Sequence, residues 1–380
     1  MTGAEERGDH APLAGVIVLD ASRMLPGAVL VRMLADLGAR VIKIEDPGGG
    51  DPLRHTPPLV NGVGAGFCAF FRGCESVALD LQDPAGAASL RRLSRHADVL
   101  IESFRPGTLE SWGLDARRLA EANPALILCS LSGFGQQGAW RRRAAHDLNF
   151  AAQSGLLDLF GSPEVPRVQA VDVTAGLLAA SGILAALLRR ARTGRGIHLD
   201  QPLAAAPLPF LTWAWADAAA GGGGADEGIL AGKCPAYHVY SCADGRRVAL
   251  GAIEPKFWNE VTALLGLPEL AGAGLDLGEV GVQAAARVAS RLATQPASHW
   301  LALASERGLP LTLVSSAGEA RLDPYFAEAG LLEETPTPGG QHLTTPAPYL
   351  PTLGRTPGRP APRLGEHTAR VLKELGGVQG

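Results

Sequence analysis

Three residues of this 380-residue chain stand where a proton could be taken up or handed over. His146 lies in RRRAAHDLNF, on a loop beyond an expected strand end and beside Asp147. Asp172 lies in VQAVDVTAGLLAASG, just ahead of a helix expected to start near Thr174. Glu254 lies in GAIEPKFW, between an apolar strand and a helix expected to start at Pro255. An imidazole titrates near neutral pH and is the commonest acid/base group. One imidazole and two carboxylates, each at the edge of an element, are the minimum for moving a proton. Each also has a plainer reading. Most histidines are structural or lie on the surface, and on position alone that is the commoner case for His146. Asp172 could cap its helix, which is as good a reading as the chemical one. Glu254 could be a dipole partner at a helix start. Arg141–Arg143 reads as a solvated basic run.

Other chemistries find less support. GFGQQG (Gly133–Gly138) matches G-x-G-x-x-G after a strand, but AWRRRAAHD is a poor helix start, and the first strand–helix turn, ASRMLPG, lacks the glycines. The plainer reading is a Gly-rich loop passing near a ligand, so no nicotinamide cofactor is expected. There is no G-x-S-x-G elbow and no P-loop lysine motif. The wide spacing of His146, Asp172 and Glu254 gives no metal-ligand pattern, and no metal is expected. Cysteines 68, 74, 129, 234 and 242 form no C-x-x-C pair and read as reduced thiols of a cytosolic, hence cytoplasmic, enzyme.

Alternating elements must position these residues. GVIVLDAS is a buried-strand run, PGAVLVRMLADLGA is a helix ending at Gly38, and RVIKIEDP is a second strand. Strands at ESVALDL, DVLIESF and ALILCSLSGFG alternate with helices at PAGAASLRRLSRHA and LDARRLAEANP. This pattern predicts an α/β fold with a doubly wound parallel sheet. A long helix from Thr174 to Arg192 precedes a strand, GIHLDQPL. Gly- and Ala-rich sequence at 218–232 reads as a flexible connector. YHVYSCADGRRVALGAIEP reads as a hairpin with an Asp-Gly turn. The expected plan is a large domain over 1–205, a linker at 206–232, a small α+β domain at 233–317, and a return at 318–380 ending in a helix that completes the large domain.

Composition bounds the partners. The chain is 46% hydrophobic, and 34 Lys+Arg against 38 Asp+Glu leave a net charge of −4, so no overall basic field exists to hold nucleic acid or an anionic membrane. The apolar stretches near Ala175–Leu188 and Leu203–Ala219 are interrupted, so no membrane span is expected. Met1–Pro12 is polar and acidic and does not read as a signal peptide.

Together the motifs resemble family III CoA-transferases along nearly the whole chain, and within that superfamily the α-methylacyl-CoA racemases. The resemblance rests on LAGVIVLDASRMLPG, VRMLADLGARVIKIEDPGGGDPLR, SVALDL, DVLIESFRPGTLESWGL, LSGFGQQG, HDLNF, GILAALLRRARTGRGIHLD and RLGEHTARVLKELG. It implies an acyl-CoA substrate and no cofactor beyond its CoA moiety. It also implies an interlocked homodimer with a Rossmann-like large domain, and an active site shared between subunits. In the transferases the residue matching Asp172 is a nucleophile that carries acyl and then CoA. The racemases keep it as an acid/base and add a His, matched by His146 in AHDLNF, and a Glu, matched by Glu254 in ALGAIEP. The resemblance implies CoA contacts at Arg23, Lys43, Arg105, Gly133 and Gly135, with Lys43 and Arg105 facing phosphates.

Two stretches depart from relatives. FRGCES places Cys74 and Glu75 where a Lys-Arg pair is usual, which would remove cations from a phosphate-binding edge. Gly221–Gly224 resembles the tetraglycine loop of formyl-CoA transferases. The leading expectation is an acyl-CoA racemase acting on a 2-methylacyl-CoA-type thioester through an enolate, its oxygen stabilised by backbone N–H donors. The alternatives are a CoA-transferase working covalently through Asp172, and an inert CoA-binding protein.

Overall fold

The computed structural model describes residues 11–161, 164–222, 228–354 and 358–376. The chain divides into two compact units. The first comprises Met1–Leu157, Ser162–Pro209 and Asp323–Gly380; the second comprises Asp158–Gly161 and Phe210–Leu322.

The first unit is built on six parallel strands: β1 (Ile17–Ala21), β2 (Arg40–Glu45), β3 (Glu75–Ala78), β4 (Val99–Glu102), β5 (Ile127–Ser132) and β6 (Ile197–Pro202). Their order across the sheet is β3-β2-β1-β4-β5-β6, all neighbours parallel. This is the doubly wound order, and it reverses direction between β1 and β4, the place where such sheets bind ligands at their carboxyl ends. The strands alternate strictly. Val18, Val41, Val99, Ile101, Ile127 and Cys129 enter a core packed on one face, while Leu19, Ile42, Leu100 and Leu128 enter the core on the other. Apolar residues on both faces are why these segments read as continuous hydrophobic runs.

Helices Met24–Asp36 and Ala170–Thr193 cover the first face. They meet closely because Gly176 has no side chain: a Cβ there would stand 2.6 Å from the Pro26 carbonyl oxygen. Ala175, Ala179 and Ala180 continue the small-residue seam. The Ala170–Thr193 helix is long and apolar enough to cross a membrane, although its sequence is interrupted by Gly176, Ser181 and Gly182. Here it packs against the Met24–Asp36 helix, β5 and β6. Helices Pro84–Ser94 and Thr368–Leu375 lie on the other face, the latter burying Val371.

The second unit holds a three-stranded antiparallel sheet, Leu311–Leu313 beside Arg247–Gly251 beside Tyr237–Ser241. The hairpin turns at Asp244-Gly245, with Gly245 at φ +74°. Trp258 and Trp300 fill its core from helices Pro255–Leu264 and Ala297–Glu306.

The linker expected over 206–232 opens as a helix, Leu208–Ala219, and Ile229–Ala231 forms a short 3₁₀ turn. Pro209 sits in the helix's first turn, where its missing N–H has no intrahelical partner to lose. Of the Gly221–Gly224 run, residues 223 and 224 lie outside the described residues.

Candidate active site

The β1–β4 crossover point brings two loops together. The backbone N–H of Arg23 donates to Ser103 Oγ at 2.9 Å, and the Arg23 guanidinium stands 5.8 Å from the Phe104 ring centroid. Arg23 and Arg105 are both exposed here. Beneath the loops, Asp20 Oδ1 accepts from the Ser22 backbone N–H at 2.9 Å and shapes the turn after β1.

Lys43 does not stand free beside them. Its ammonium is 1% exposed, 2.9 Å from both Asp20 and Asp51 carboxylates, and donates to the Ser22 carbonyl. Burial works against its charge, but the surrounding carboxylates outweigh burial and hold it protonated, above the usual lysine range. The expected phosphate contact at Lys43 is therefore corrected: its charge is already neutralised inside the protein, and it supports the strand-end turn.

The Cys74-Glu75 expectation fails for a similar reason. Cys74 is buried, its thiol pushed up to about 12 chiefly by burial. Glu75 opens β3 at its amino end, away from the strand ends where a ligand would lie, and pairs with Arg40 and Arg370, each at 3.1 Å. Burial would raise its carboxyl, but those two guanidiniums hold it below the ordinary range. Glu75 ties the C-terminal helix to the sheet.

The Gly133–Gly138 segment is a loop with no helix following it; the next helix is Asp147–Ser154. Gly133 lies against Phe150, where a Cβ would be 3.3 Å from the ring. Gly135 has φ +87° and leaves space for Asp200, which accepts from the Gln136 backbone N–H at 2.8 Å.

Asp172 and His146 come together in this unit. The helix begins at Ala170, earlier than expected, so Asp172 sits inside its first turn. It does not cap the helix: Gln169 holds that position. Asp172 is 8% exposed, and its carboxyl accepts from Gln169 Nε2 at 2.9 Å. Its own backbone N–H donates to Asp147 Oδ1, also at 2.9 Å. His146 is exposed at the start of the Asp147–Ser154 helix, its backbone N–H held by Asn149 Oδ1 at 3.0 Å. A first-turn position favours an ionised carboxylate. Burial, followed by the Asp147 charge, overrides this and raises Asp172 from 3.8 to about 6, while His146 and Gln169 oppose the rise. A carboxyl poised there can both give and take a proton near neutral pH. Asp147, which the sequence reading placed beside His146 without a role, holds the Asp172 N–H and adds to the rise that burial begins.

Glu254 belongs to the second unit. It is exposed and precedes the Pro255–Leu264 helix without making a side-chain cap.

A cluster that sequence reasoning missed lines a cavity of about 530 Å³ at the ends of β4, β5 and β6. Glu102 accepts from the Phe104 backbone N–H at 2.8 Å, and on the neighbouring strand the Ser130 hydroxyl lies 2.9 Å from His198 Nε2. Burial, opposed by the Ser130 hydroxyl and the Phe104 N–H, raises Glu102 to about 7. Arg105 and Arg141 line the same cavity. The signal available was Glu102 and Ser130 as polar residues level with each other in otherwise apolar strands, with His198 two residues before Asp200, the partner of Ser130, visible only once strand order is known. Among the described residues no group of His, Cys, Asp and Glu side chains is arranged to hold a metal ion.

Known proteins share this plan. The succinyl-CoA:glutarate CoA-transferase of Mus musculus is 33% identical over 96% of this chain and 86% of its own length. The alpha-methylacyl-CoA racemase of Homo sapiens is 33% identical over 96% of this chain and 93% of its own. The crystal structure of a CAIB/BAIF family protein from Brucella suis superposes with a TM-score of 0.84 at 31% identity, covering 96% of this chain and 99% of that one. The family model for CoA-transferase family III matches residues 13–368. The chain belongs to CoA-transferase family III, and is an enzyme acting on CoA thioesters.

Proposed function

We propose that the protein is an acyl-CoA racemase that inverts the α-carbon of a 2-methylacyl-CoA-type thioester. The observation that carries this reading is the pairing of His146 with an Asp172 carboxyl raised to about 6. Inversion requires a base on one face of the carbon and an acid on the other, and an imidazole beside a carboxyl raised to about 6 can supply both.

In one direction the neutral His146 imidazole takes the α-proton. The C–H electron pair moves into the thioester as an enolate, and protonated Asp172 returns a proton to the opposite face. In the other direction ionised Asp172 is the base and the imidazolium is the acid. No electrons leave the substrate and none are needed, so the reaction calls for neither metal nor redox cofactor. By resemblance Glu254 backs His146 from a partner subunit in an interlocked homodimer, and Arg23 and Arg105 face the CoA moiety.

The test is deuterium incorporation at the α-carbon of 2-methylacyl-CoA in D₂O. His146→Ala should lower it by about 10²–10⁴-fold, the usual size of a general acid/base contribution, with CoA affinity little changed. Unaltered exchange in that variant would sink the assignment.

A second reading, CoA transfer between carboxylic acids, is favoured by relatives such as the Mus musculus transferase. Asp172 would then attack the thioester carbonyl, releasing CoA and forming a mixed anhydride. CoA thiolate would next displace the carboxylate to leave an aspartyl thioester. Mass spectrometry after incubation with acyl-CoA separates the two readings, because only the transferase leaves CoA on Asp172.

A further inference from the structure

His146 is placed by the start of its own helix. Its backbone N–H donates to Asn149 Oδ1 at 3.0 Å, and its carbonyl accepts from the Asn149 and Phe150 N–H groups at 2.8 and 3.2 Å. Asp147, the next residue, holds the Asp172 N–H. The same helical turn therefore carries His146 and grips the residue it must work with.

A single ring anchors that turn. An isolated helix this short does not persist in water. Of the residues in Asp147–Ser154, only Phe150 and Ala151 are buried. Ala151 offers a methyl group, so Phe150 supplies most of the apolar surface that fixes the helix. Upstream, residues 133–146 form neither helix nor strand, so His146 stands at the end of a long loop.

Three rings bridge the loop. Phe150 lies against Gly133, the residue directly after β5, where a Cβ would stand 3.3 Å from the ring. Phe134 meets Phe150 edge-on, with centroids 5.3 Å apart and planes at 62°, and meets Trp140 in the same manner at 5.4 Å and 66°. In both pairs the positive edge of one ring points toward the negative face of the other, which is the favoured geometry. The Arg143 guanidinium stands 4.5 Å from the Trp140 centroid. The ladder Trp140–Phe134–Phe150 ties the loop both to the end of β5 and to the helix start.

We infer that Phe134, the middle ring of this ladder, is a positioning residue that sets the His146 imidazole against the Asp172 carboxyl. This rests on the reading that the two groups exchange protons with one substrate carbon. Phe134 acts through Phe150 and the helical turn. Without the middle ring, Phe150 loses its edge-on partner and Trp140 its anchor, and the helix start is free to shift with the loop. A misplacement of about 1 Å costs a reaction up to about 10²-fold in rate. The rings carry no charge that would attract a phosphate, so the loss belongs in kcat, with CoA affinity kept. Position also has a static signature. The His146 charge opposes the rise of the Asp172 carboxyl, so an imidazole displaced from it leaves Asp172 titrating higher.

The experiment compares full-length wild type with Phe134→Leu, Phe134→Tyr and Trp140→Leu. Deuterium incorporation at the α-carbon of 2-methylacyl-CoA gives kcat and KM, calorimetry gives Kd for free CoA, and ¹³C NMR follows the Asp172 carboxyl. Phe134→Leu should lower kcat by about 10–10²-fold and leave KM and the CoA Kd within about two-fold. Its Asp172 midpoint should move up in pH. Phe134→Tyr keeps the ring and should recover both the rate and the wild-type midpoint. Trp140 is half exposed, so Trp140→Leu keeps the fold and should show smaller changes in the same directions. It carries the test if Phe134→Leu does not fold. An Asp172 midpoint that stays or falls in Phe134→Leu and Trp140→Leu, or a Phe134→Tyr protein as slow as Phe134→Leu, overturns the inference. Absence of exchange in wild type overturns the racemase reading instead, and the Asp172 midpoints still decide whether the ladder sets His146.

Discussion

Asp147→Asn isolates charge from geometry at the Asp172 site. An asparagine Oδ1 can still accept the Asp172 N–H that Asp147 now holds at 2.9 Å, so the helix start should keep its position. The negative charge is lost. That charge is the second cause, after burial, of the rise of Asp172 from 3.8 to about 6, so its removal should recover less than half of the rise, about 1 pH unit. At pH 7 a carboxyl titrating near 6 is about 9% protonated, and one titrating near 5 about 1%. Racemisation, whose kcat/KM must change equally in both directions, should therefore slow by up to about ten-fold at pH 7, and its alkaline limb should move down by about 1 pH unit. A transferase nucleophile is needed ionised, which it already is to about 90% at pH 7, so covalent transfer should barely respond. The assay is kcat/KM from pH 5 to pH 8.5 in both stereochemical directions, with the Asp172 carboxyl followed by ¹³C NMR. Unfolding provides a second readout. A carboxyl whose pKa is raised by folding stabilises nothing above that value: wild type should lose stability as pH rises from about 4 to about 6, and Asp147→Asn should lose less, by about 1 kcal/mol after solvent screening. An Asn variant with an unshifted limb and an unshifted Asp172 resonance refutes the claim that Asp147 sets this carboxyl.

Lys43→Met should leave Asp20 and Asp51 buried without their cation and cost about 3–5 kcal/mol by chemical denaturation; an unchanged unfolding midpoint would contradict the buried network. Cys74→Lys with Glu75→Arg, which a phosphate-binding edge would reward with tighter CoA binding, should instead break the Arg40 and Arg370 pairs and lower the melting temperature, with no gain in CoA affinity at low salt. Gly176→Val should force the Met24–Asp36 and Ala170–Thr193 helices apart, costing about 1–3 kcal/mol and lowering kcat through Asp172; a neutral effect on both would mean the seam is looser than its 2.6 Å approach indicates. Dialysis against a chelator should leave turnover unchanged on the racemase reading, and loss restored by added metal would count against it.

Local sequence carried the elements. Continuous apolar runs in GVIVLDAS and ALILCSLSGFG mark strands buried on both faces, and the 3.6-residue spacing ending at Gly38 marks the helix between the first two strands, because side-chain direction repeats with the backbone itself. It also placed His146 and Asp172 at element edges, within two residues of where the helices begin. What it left open was every property that depends on a neighbour distant along the chain. Lys43 looks like a free cation until β1 and β2 pair and bring Asp20 alongside it. Glu75 looks like a charge on a ligand-facing edge until the C-terminal helix lays Arg370 against it. Asp147 and Asp172 are 25 residues apart, and Glu102, Ser130 and His198 lie on three different strands. Whether an ionisable group is available to a ligand, and at what pH it holds its proton, follows from burial and facing charges, which strand order and helix packing alone decide.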